Sequence, residues 1–196
     1  METHLLKDHY IINPRTMALL PMDGLFGEHW TIVIEENQML QIKAKPIAII
    51  DHSCHFFGSS YSGRKEGAAA LLNYTHMAPI AINDAYDMIF FPLTSPKNRD
   101  CIWLSHKHIQ HWKNVQNNTA VQFTNFQVKI LPIFYSTFEI KLNRAAQYRC
   151  KLLESHQYSQ SQAYHFPQTT PIDLEYWLLI KDNGMFNMRE IKQNKV

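Results

Sequence analysis

The sequence has little cysteine, glycine and proline, and it has no long apolar run. Its 196 residues include three Cys, six Gly and nine Pro. Three scattered cysteines are too few for a disulfide scaffold, which indicates a reducing compartment. The low Gly and Pro content, with 12% aromatic residues, excludes a mainly disordered or fibrous chain.

Membrane-spanning segments and a secretory signal are also missing from the sequence. No apolar run approaches the ~18 residues that a membrane-spanning helix requires. The first ten residues, METHLLKDHY, lack the basic and apolar segments of a secretory signal. We therefore expect a globular protein in the cytoplasm, with no membrane partner.

The formal net charge of +2 is unevenly distributed along the chain. Residues 1–40 carry six acids and two bases, residues 41–65 one acid and four bases, and residues 66–92 three acids and no base. Residues 93–165 then carry nine bases and three acids, whereas residues 166–196 are balanced. Two basic stretches around an acidic one favour a basic face built from distant segments, as in nucleic-acid-binding proteins. Ordinary solvated lysines and arginines are the alternative.

Hydrophobic periodicity predicts an α+β fold, strand-rich in its middle and helical at its end. The predicted strands are Trp30–Glu35, Met39–Ile42, Ile47–Ile50, Ile80–Ile82, Met88–Phe91 and Cys101–Leu104, and then a hairpin around Asn125–Phe126. The predicted helices are Ser62–Tyr74, Ser136–Gln157 and a last one from Pro171, with Thr170 as its N-cap and Gly184 as its stop. Residues 157–168, rich in Gln and Ser, predict a linker. We expect a DNA-binding core domain over residues 1–156 and a linker with a helical tail over residues 157–196, without a helix-turn-helix.

The helix predicted from Ser136 has two distinct faces. Ser136 and Glu139 have the spacing of a capping box. Apolar residues share one side, and a basic stripe lies on the other, namely Lys141, Arg144 and Lys151. Arg149 falls within the apolar side, so we expect it to find a partner or to reach solvent.

Glycine is concentrated in one short segment, between Gly58 and Gly67, beside Arg64 and Lys65. Glycines let a backbone approach a ligand closely, and successive N–H groups can hold phosphate oxygens beside a cation. The segment is close to a P-loop, between a predicted strand and a predicted helix. However, Arg64 replaces the phosphate-reaching lysine, and Lys65 replaces the hydroxyl that holds magnesium, which argues against NTP hydrolysis. Binding of a nucleic-acid phosphate, which needs no metal, and a plain turn both stay open.

A second segment, Ser105–Lys113, contains His106, His108 and His111. These histidines lack the tight paired spacing of zinc ligands, and no carboxylate lies near them in the sequence. No nucleophile elbow is present either. We therefore predict no catalytic residue, no metal and no cofactor. A phosphate- or metal-binding enzyme built on residues 58–65 and the histidines is the alternative.

The segment Asp51–Lys65, DHSCHFFGSSYSGRK, strongly resembles the signature of the competence transcription factor (ComK) family of low-GC Gram-positive bacteria. Further matches follow in order over roughly residues 30–150, namely Cys101–His108, Phe123–Asn125, Leu131–Ile133, Ser136–Phe138 and Arg144–Ala145. One departure from the family pattern is Asn125-Phe126-Gln127, which replaces an Asn-Gly-Lys turn.

The resemblance implies an activator of DNA-uptake genes that binds paired A/T tracts through the minor groove as a dimer or higher oligomer and helps RNA polymerase engage the promoter. Such a protein would be cytoplasmic and associated with the nucleoid. Family members are also handed to a Clp-type protease by an adaptor that recognises a Phe-Met-Leu-Tyr-Pro-like stretch. The divergent counterpart here is Tyr164–Pro167. A module that binds proteins without touching DNA is a further alternative.

The predicted DNA-binding residues combine the glycine segment with later cations. We expect Arg64 and Lys65 to form one corner held by the glycine turn, with neighbouring polar side chains and two basic strips beside it. The full set is His52, Ser59, Ser60, Tyr61, Arg64, Lys65, Lys97, Arg99, Lys107, His108, Lys141, Arg144 and Lys151.

Overall fold

The computed structural model describes residues 5–74, 76–163, 176–180 and 186–190. Residues up to Glu154 form one compact unit, and Ser155–Val196 form a second. The first unit is an α+β domain, as the sequence predicts, with ten strands in two sheets. The assignment of a DNA-binding role to the core and of a tail to residues 157–196 stays a prediction.

The larger sheet has seven strands in the order β1-β4-β3-β2-β7-β6-β5. Its neighbours are antiparallel except for the parallel pair β1 and β4. The strands are β1 (Leu5–Lys7), β2 (Thr16–Asp23), β3 (His29–Glu35), β4 (Met39–Ile42), β5 (Ile80–Asn83), β6 (Met88–Pro92) and β7 (Trp103–Ser105). The predicted strands at residues 30–35, 39–42, 80–82 and 88–91 are confirmed.

Both faces of the seven-stranded sheet are buried, so successive residues of one strand enter different cores. Phe90 and Phe91 of β6 illustrate this alternation, because each is buried in a separate apolar cluster. Strands covered on both faces read as continuous apolar runs rather than as alternating ones.

Helix α1 (Pro46–Phe56) covers one face of this sheet, and α2 (Tyr61–Leu72) packs beside α1 and β5, with its buried Ala68 in the apolar cluster of the opposite face. The predicted strand Ile47–Ile50 is therefore wrong. Pro46 occupies the first turn of α1, and the buried residues recur three and four apart, which is the period of a helix, at Pro46, Ile49, Ile50, Ser53 and Cys54. The apolar run also fits a strand, and only the buried positions downstream reveal the helical period.

The opposite face is covered by a three-stranded antiparallel sheet and by residues Phe138 to Leu152 of the long helix α3 (Tyr135–Ala163). The small sheet consists of β8 (Ile109–Val115), β9 (Asn118–Phe123) and β10 (Val128–Leu131), and a single 3₁₀ turn, His106–His108, precedes it. The predicted hairpin around Asn125–Phe126 is confirmed as β9 and β10.

The start of α3 differs from the predicted one by one residue. The N–H of Phe138 donates to the carbonyl of Phe134 at 2.9 Å, so the helix already includes Tyr135, and Ser136 lies inside its first turn. A capping box at Ser136 is therefore wrong. The partner expected for Arg149 is present, because its Nε lies 2.8 and 2.9 Å from the carboxylate oxygens of Asp87.

The described residues of the second unit include the last part of α3 and a two-stranded antiparallel sheet of β11 (Tyr176–Ile180) and β12 (Phe186–Glu190). The predicted linker is wrong over residues 157–163, which are helical, because Gln, Ser and Ala without Gly or Pro are compatible with a helix. The last predicted helix is wrong over Tyr176–Ile180. Its N-cap Thr170 and stop Gly184 lie outside the described residues. No helix in the described part of the chain is long and apolar enough to span a bilayer.

Candidate nucleic-acid interface

The glycine segment is a connection between two helices rather than a phosphate loop. Gly58 has φ +73°, and it ends α1 in a Schellman motif. The N–H of Ser59 donates to the carbonyl of Cys54 at 2.9 Å, and the N–H of Gly58 donates to the carbonyl of His55 at 3.0 Å. Since a helix precedes this turn where a P-loop requires a strand, the expected P-loop context is wrong.

The first residues of α2 are fixed by side chains of the same segment. Ser60 is the N-cap, and its hydroxyl oxygen accepts the N–H of Gly63 at 3.1 Å. The N–H of Tyr61 donates to Oδ1 of Asp51 at 3.1 Å, and the Tyr61 ring packs edge-on against Trp103 with centroids 6.2 Å apart. These contacts make Ser60 and Tyr61 determinants of where α2 begins.

Arg64 and Lys65 point in different directions from α2, since adjacent helical residues are about 100° apart. Arg64 is half-buried, and its Nε is inaccessible to solvent and has no hydrogen-bond partner in the part of the chain that is described. Burial raises the pKa of the Cys54 thiol to about 11, against the opposing effect of the nearby Arg64 charge. Lys65, by comparison, is exposed to solvent. The two residues therefore do not form a single basic corner.

Lys65 instead lines a groove that brings together cations from distant parts of the chain. Two adjoining cavities of about 290 and 580 Å³ share Ile47, Pro96 and Lys97 and form this basic groove. Its cations come from the residue before α1, from α2 and from the loop between β6 and β7, and its histidines from β3 and the segment after α2. They are Lys45, Lys65, Lys97, Arg99, His29 and His76.

The basic groove has a strongly one-sided charge. None of the described residues that line it is Asp or Glu. Lys45, Lys65 and Lys97 are exposed and form no ion pair with any described residue. Arg99, at one end, is paired with Asp23 and lies 3.8 Å from the Asp100 carboxylate. Three exposed ammonium groups without ion-pair partners among the described residues give the basic groove a positive potential.

Comparison with known proteins identifies the family. The family model described as ComK protein matches residues 7–157. The chain belongs to the ComK family. The competence transcription factor of Bacillus subtilis (strain 168) is 31% identical to it over 181 residues, which cover 90% of this chain and 94% of the relative. No solved structure matches the chain. The resemblance drawn from residues 51–65 is confirmed, and the ComK match supports a competence transcription factor rather than an enzyme.

The predicted site residues of this ComK chain lie in several places, and four of them line the basic groove. Tyr61, Lys65, Lys97 and Arg99 line the basic groove. Ser59 and Ser60 belong to the turn before α2, and His52 is exposed on α1 with its ring centroid 6.2 Å from that of His9. Lys107 is exposed and lines a separate cavity with Arg149.

His108 is buried, and both ring nitrogens have partners inside the domain. Its Nε2 lies 2.8 Å from the carbonyl oxygen of Pro14, and its Nδ1 lies 2.9 Å from the hydroxyl of Thr124. Because a carbonyl only accepts, Nε2 carries the proton and Nδ1 accepts from the threonine. Burial lowers the pKa of His108, against the effects of the Pro14 carbonyl and Glu36. This geometry leaves His108 no free nitrogen for DNA.

The stripe on α3 is also largely engaged within the domain. Lys141 is buried with its Nζ 3.3 Å from Sδ of Met77, and burial together with the Arg144 charge lowers its pKa. The Arg144 guanidinium lies over the Tyr74 ring at 4.5 Å. Lys151 is exposed and pairs with Glu154 at 2.7 Å. The described residues contain no cluster of three or more His, Cys, Asp or Glu that could hold a metal.

Sequence reasoning missed Lys45, His29 and His76. Lys45 lies in the basic stretch 41–65, and its position directly before Pro46 is the one usable signal, because Pro at the first helical position places Lys45 at the exposed start of a helix. No local pattern marks the two histidines, since only packing of the sheet against the helices brings them to the basic groove.

Proposed function

We propose that the chain is a DNA-binding transcriptional activator of competence genes and that it contacts duplex DNA through the basic groove. The observation that carries this proposal is the set of three unpaired lysines, Lys45, Lys65 and Lys97, in a channel whose described lining contains no carboxylate. A row of lysines neutralises phosphates and releases condensed counterions, which is the main source of affinity for DNA.

The resemblance to the ComK family implies A/T-rich duplex as the target, and the physical properties of A/T tracts are compatible with it. A/T tracts narrow the minor groove and deepen its negative potential, so that lysine and histidine side chains are drawn in without reading individual bases. The minor groove distinguishes little beyond A·T from G·C, and tract length and spacing then supply the specificity.

The small number of cations favours binding as an oligomer. One chain supplies three unpaired lysines to the basic groove, and its net charge is only +2. Linked copies on neighbouring A/T tracts raise the effective concentration of each groove near its own tract. Paired tracts and a dimer or higher oligomer therefore belong to the same proposal.

Fluorescence anisotropy with labelled duplexes tests the proposal directly. We expect tighter binding to a duplex with paired A/T tracts than to a mixed-sequence duplex of equal length, over a range of about 50 to 200 mM salt. The slope of log affinity against log salt is negative, and Lys65→Ala and Lys97→Ala should each make it less steep by about one unit. Lys113→Ala, which removes an exposed lysine of β8 outside the basic groove, is the matched control. Equal binding of both duplexes would reject the proposal.

Base substitution separates the two grooves of DNA. An inosine·cytosine pair lacks the guanine amino group and presents a minor groove like that of A·T, while its major groove resembles that of G·C. We expect affinity to be retained when A·T pairs are replaced by inosine·cytosine pairs and lost when they are replaced by G·C pairs. Loss with both replacements would assign readout to the major groove. Light scattering of the complex then gives the number of chains bound.

A further inference from the structure

The hairpin of β2 and β3 ends in a turn that displays two large apolar side chains. Leu25 is 85% exposed and Phe26 is 91% exposed, more than any other large apolar side chain in the described part of the chain. Both occupy the central positions of the turn Gly24–Gly27, in which the N–H of Gly27 donates to the carbonyl of Gly24 at 3.3 Å. We name Leu25 and Phe26 the apolar tip.

The apolar tip is held in place by its own turn. The N–H of Phe26 donates to Oε2 of Glu28 at 2.9 Å, and the N–H of Gly24 donates to the carbonyl of Glu28 at 2.7 Å. Gly24 lies so close to Trp30 that a Cβ there would be 2.7 Å from the indole ring, and Gly27 has φ +82°. A defined turn presents the two side chains, and its preorganisation lowers the entropy lost on binding.

The apolar tip also stands at one end of the basic groove. The last paired residues of the hairpin are Asp23 and His29. His29 lines the basic groove, and Asp23 pairs with Arg99, which lines it too. Asp23 shares the Arg99 guanidinium with Asp100, whose carboxylate lies 3.8 Å from it, and Oε2 of Glu28 accepts the N–H of Phe26. DNA lying along the lysines would pass within reach of the tip.

We propose that Leu25 and Phe26 form a wedge that enters the minor groove of the bound duplex and partly unstacks one base step. This inference rests on the proposed function and names the groups that deform the DNA. Minor-groove proteins insert Leu, Phe and similar side chains between base steps, which kinks the duplex and wraps it around more protein surface. Pyrimidine–purine steps such as TA unstack most easily, so an A/T-rich site offers suitable positions.

The wedge is tested with 2-aminopurine placed in turn at each adenine of a paired A/T-tract duplex whose ends carry a donor and an acceptor dye. Unstacking raises 2-aminopurine fluorescence, and bending raises energy transfer. We expect the wild-type protein to raise both. The double variant Leu25→Ala, Phe26→Ala should lose both signals and bind about tenfold more weakly, with an unchanged salt slope because no phosphate contact is removed.

The matched control is Phe126→Ala, which removes a side chain that is 72% exposed in the turn between β9 and β10. It should behave as the wild type. If the double variant unstacks and bends DNA like the wild type, the wedge is wrong and the proposed function stands. If the double variant unstacks and bends DNA like the wild type but does not activate transcription in a purified system, the apolar tip contacts a protein instead. This result would also overturn the wedge. If the wild type shows no preference for A/T duplex, the proposed function fails and the wedge fails with it.

Discussion

The carboxylate of Asp51 accepts the backbone N–H of Tyr61 at 3.1 Å and so joins the middle of α1 to the first residue of α2. Together with the N-cap Ser60, it satisfies two of the free N–H groups at the start of α2. Because Lys65 lies one turn further along α2, this hydrogen bond fixes the direction from which that lysine enters the basic groove. Much of the family signature in residues 51–65 thus sets the geometry of the helix pair.

Replacing Asp51 by alanine should destabilise the domain by about 1 kcal/mol, because the N–H of Tyr61 loses its acceptor. Asp51→Asn keeps an acceptor oxygen and should lose less. Urea denaturation followed by circular dichroism measures both. His52→Ala, on the exposed side of α1, is the control. A loss for Asp51→Ala no greater than that for His52→Ala would contradict this role.

Two glycines of the same segment should respond to alanine with opposite signs. Gly58 has φ +73° with open space around it, so Gly58→Ala pays only for backbone strain and should destabilise by about 1 kcal/mol. Gly67 lies inside α2, and an added Cβ there meets nothing within 4 Å. Gly67→Ala should therefore stabilise by about 0.5–1 kcal/mol. Thermal unfolding of both variants checks the pair, and shifts of the same sign would be inconsistent with it.

The strands were predictable where local pattern and tertiary burial agree. Residues 30–35 and 39–42 have an apolar pattern that is typical of strands. The position of Arg149 on an apolar helix face likewise predicts a partner, which is Asp87. Residues 47–50 do not distinguish a strand from a helix, since an apolar run of four fits both. Packing against the sheet, which no short window contains, decides between them.

The basic groove could not be predicted from the sequence for a related reason. Lys45 and Lys97 are distant in sequence and meet only because α1 packs beside the loop between β6 and β7. Arg64 and Lys65 look equivalent as neighbours in sequence, yet the helical repeat separates them by about 100° and buries part of Arg64. The net charge of a segment predicts a basic face, but it does not show which lysines and arginines of that segment belong to the face.

The buried His108 should make stability depend on pH. Its folded pKa is lowered mainly by burial, so the unfolded chain binds a proton at higher pH than the folded chain does. The contribution of neutral His108 to the free energy of unfolding is fully present above about pH 6.5, the pKa of an unfolded histidine. This contribution is lost as the pH falls toward the folded pKa. His106, whose pKa burial also lowers, contributes in the same direction.

We expect His108→Gln to be less stable than the wild type at neutral pH but to lose less stability between about pH 6.5 and about pH 5. Urea denaturation across this range measures the difference in slope. His111→Gln replaces an exposed histidine of β8 and should keep the wild-type pH dependence. Parallel profiles for His108→Gln and wild type would show that another group governs the acid response.

Lys141 should prove dispensable for DNA binding and unfavourable for stability. Its Nζ is buried with Sδ of Met77 as a weak acceptor at 3.3 Å, and burial and Arg144 both lower its pKa. Lys141→Met removes the desolvated charge while keeping the volume, so it should stabilise by about 1 kcal/mol and leave the salt slope unchanged. Lys151→Met, at an exposed ion pair, should change stability little. A less steep dependence of log affinity on log salt for Lys141→Met would show that Lys141 contacts DNA.

Lys43 and Lys45 provide a test of position against net charge. They lie two residues apart, but Lys43 pairs with Asp8 at 3.0 Å, whereas Lys45 lines the basic groove and forms no ion pair in the described chain. Lys45→Ala should lower the slope of log affinity against log salt by about one unit on the A/T-tract duplex. Lys43→Ala should lower it by much less, although both variants carry the same net charge. Equal slopes for the two variants would mean that overall charge, and not the basic groove, determines binding to DNA.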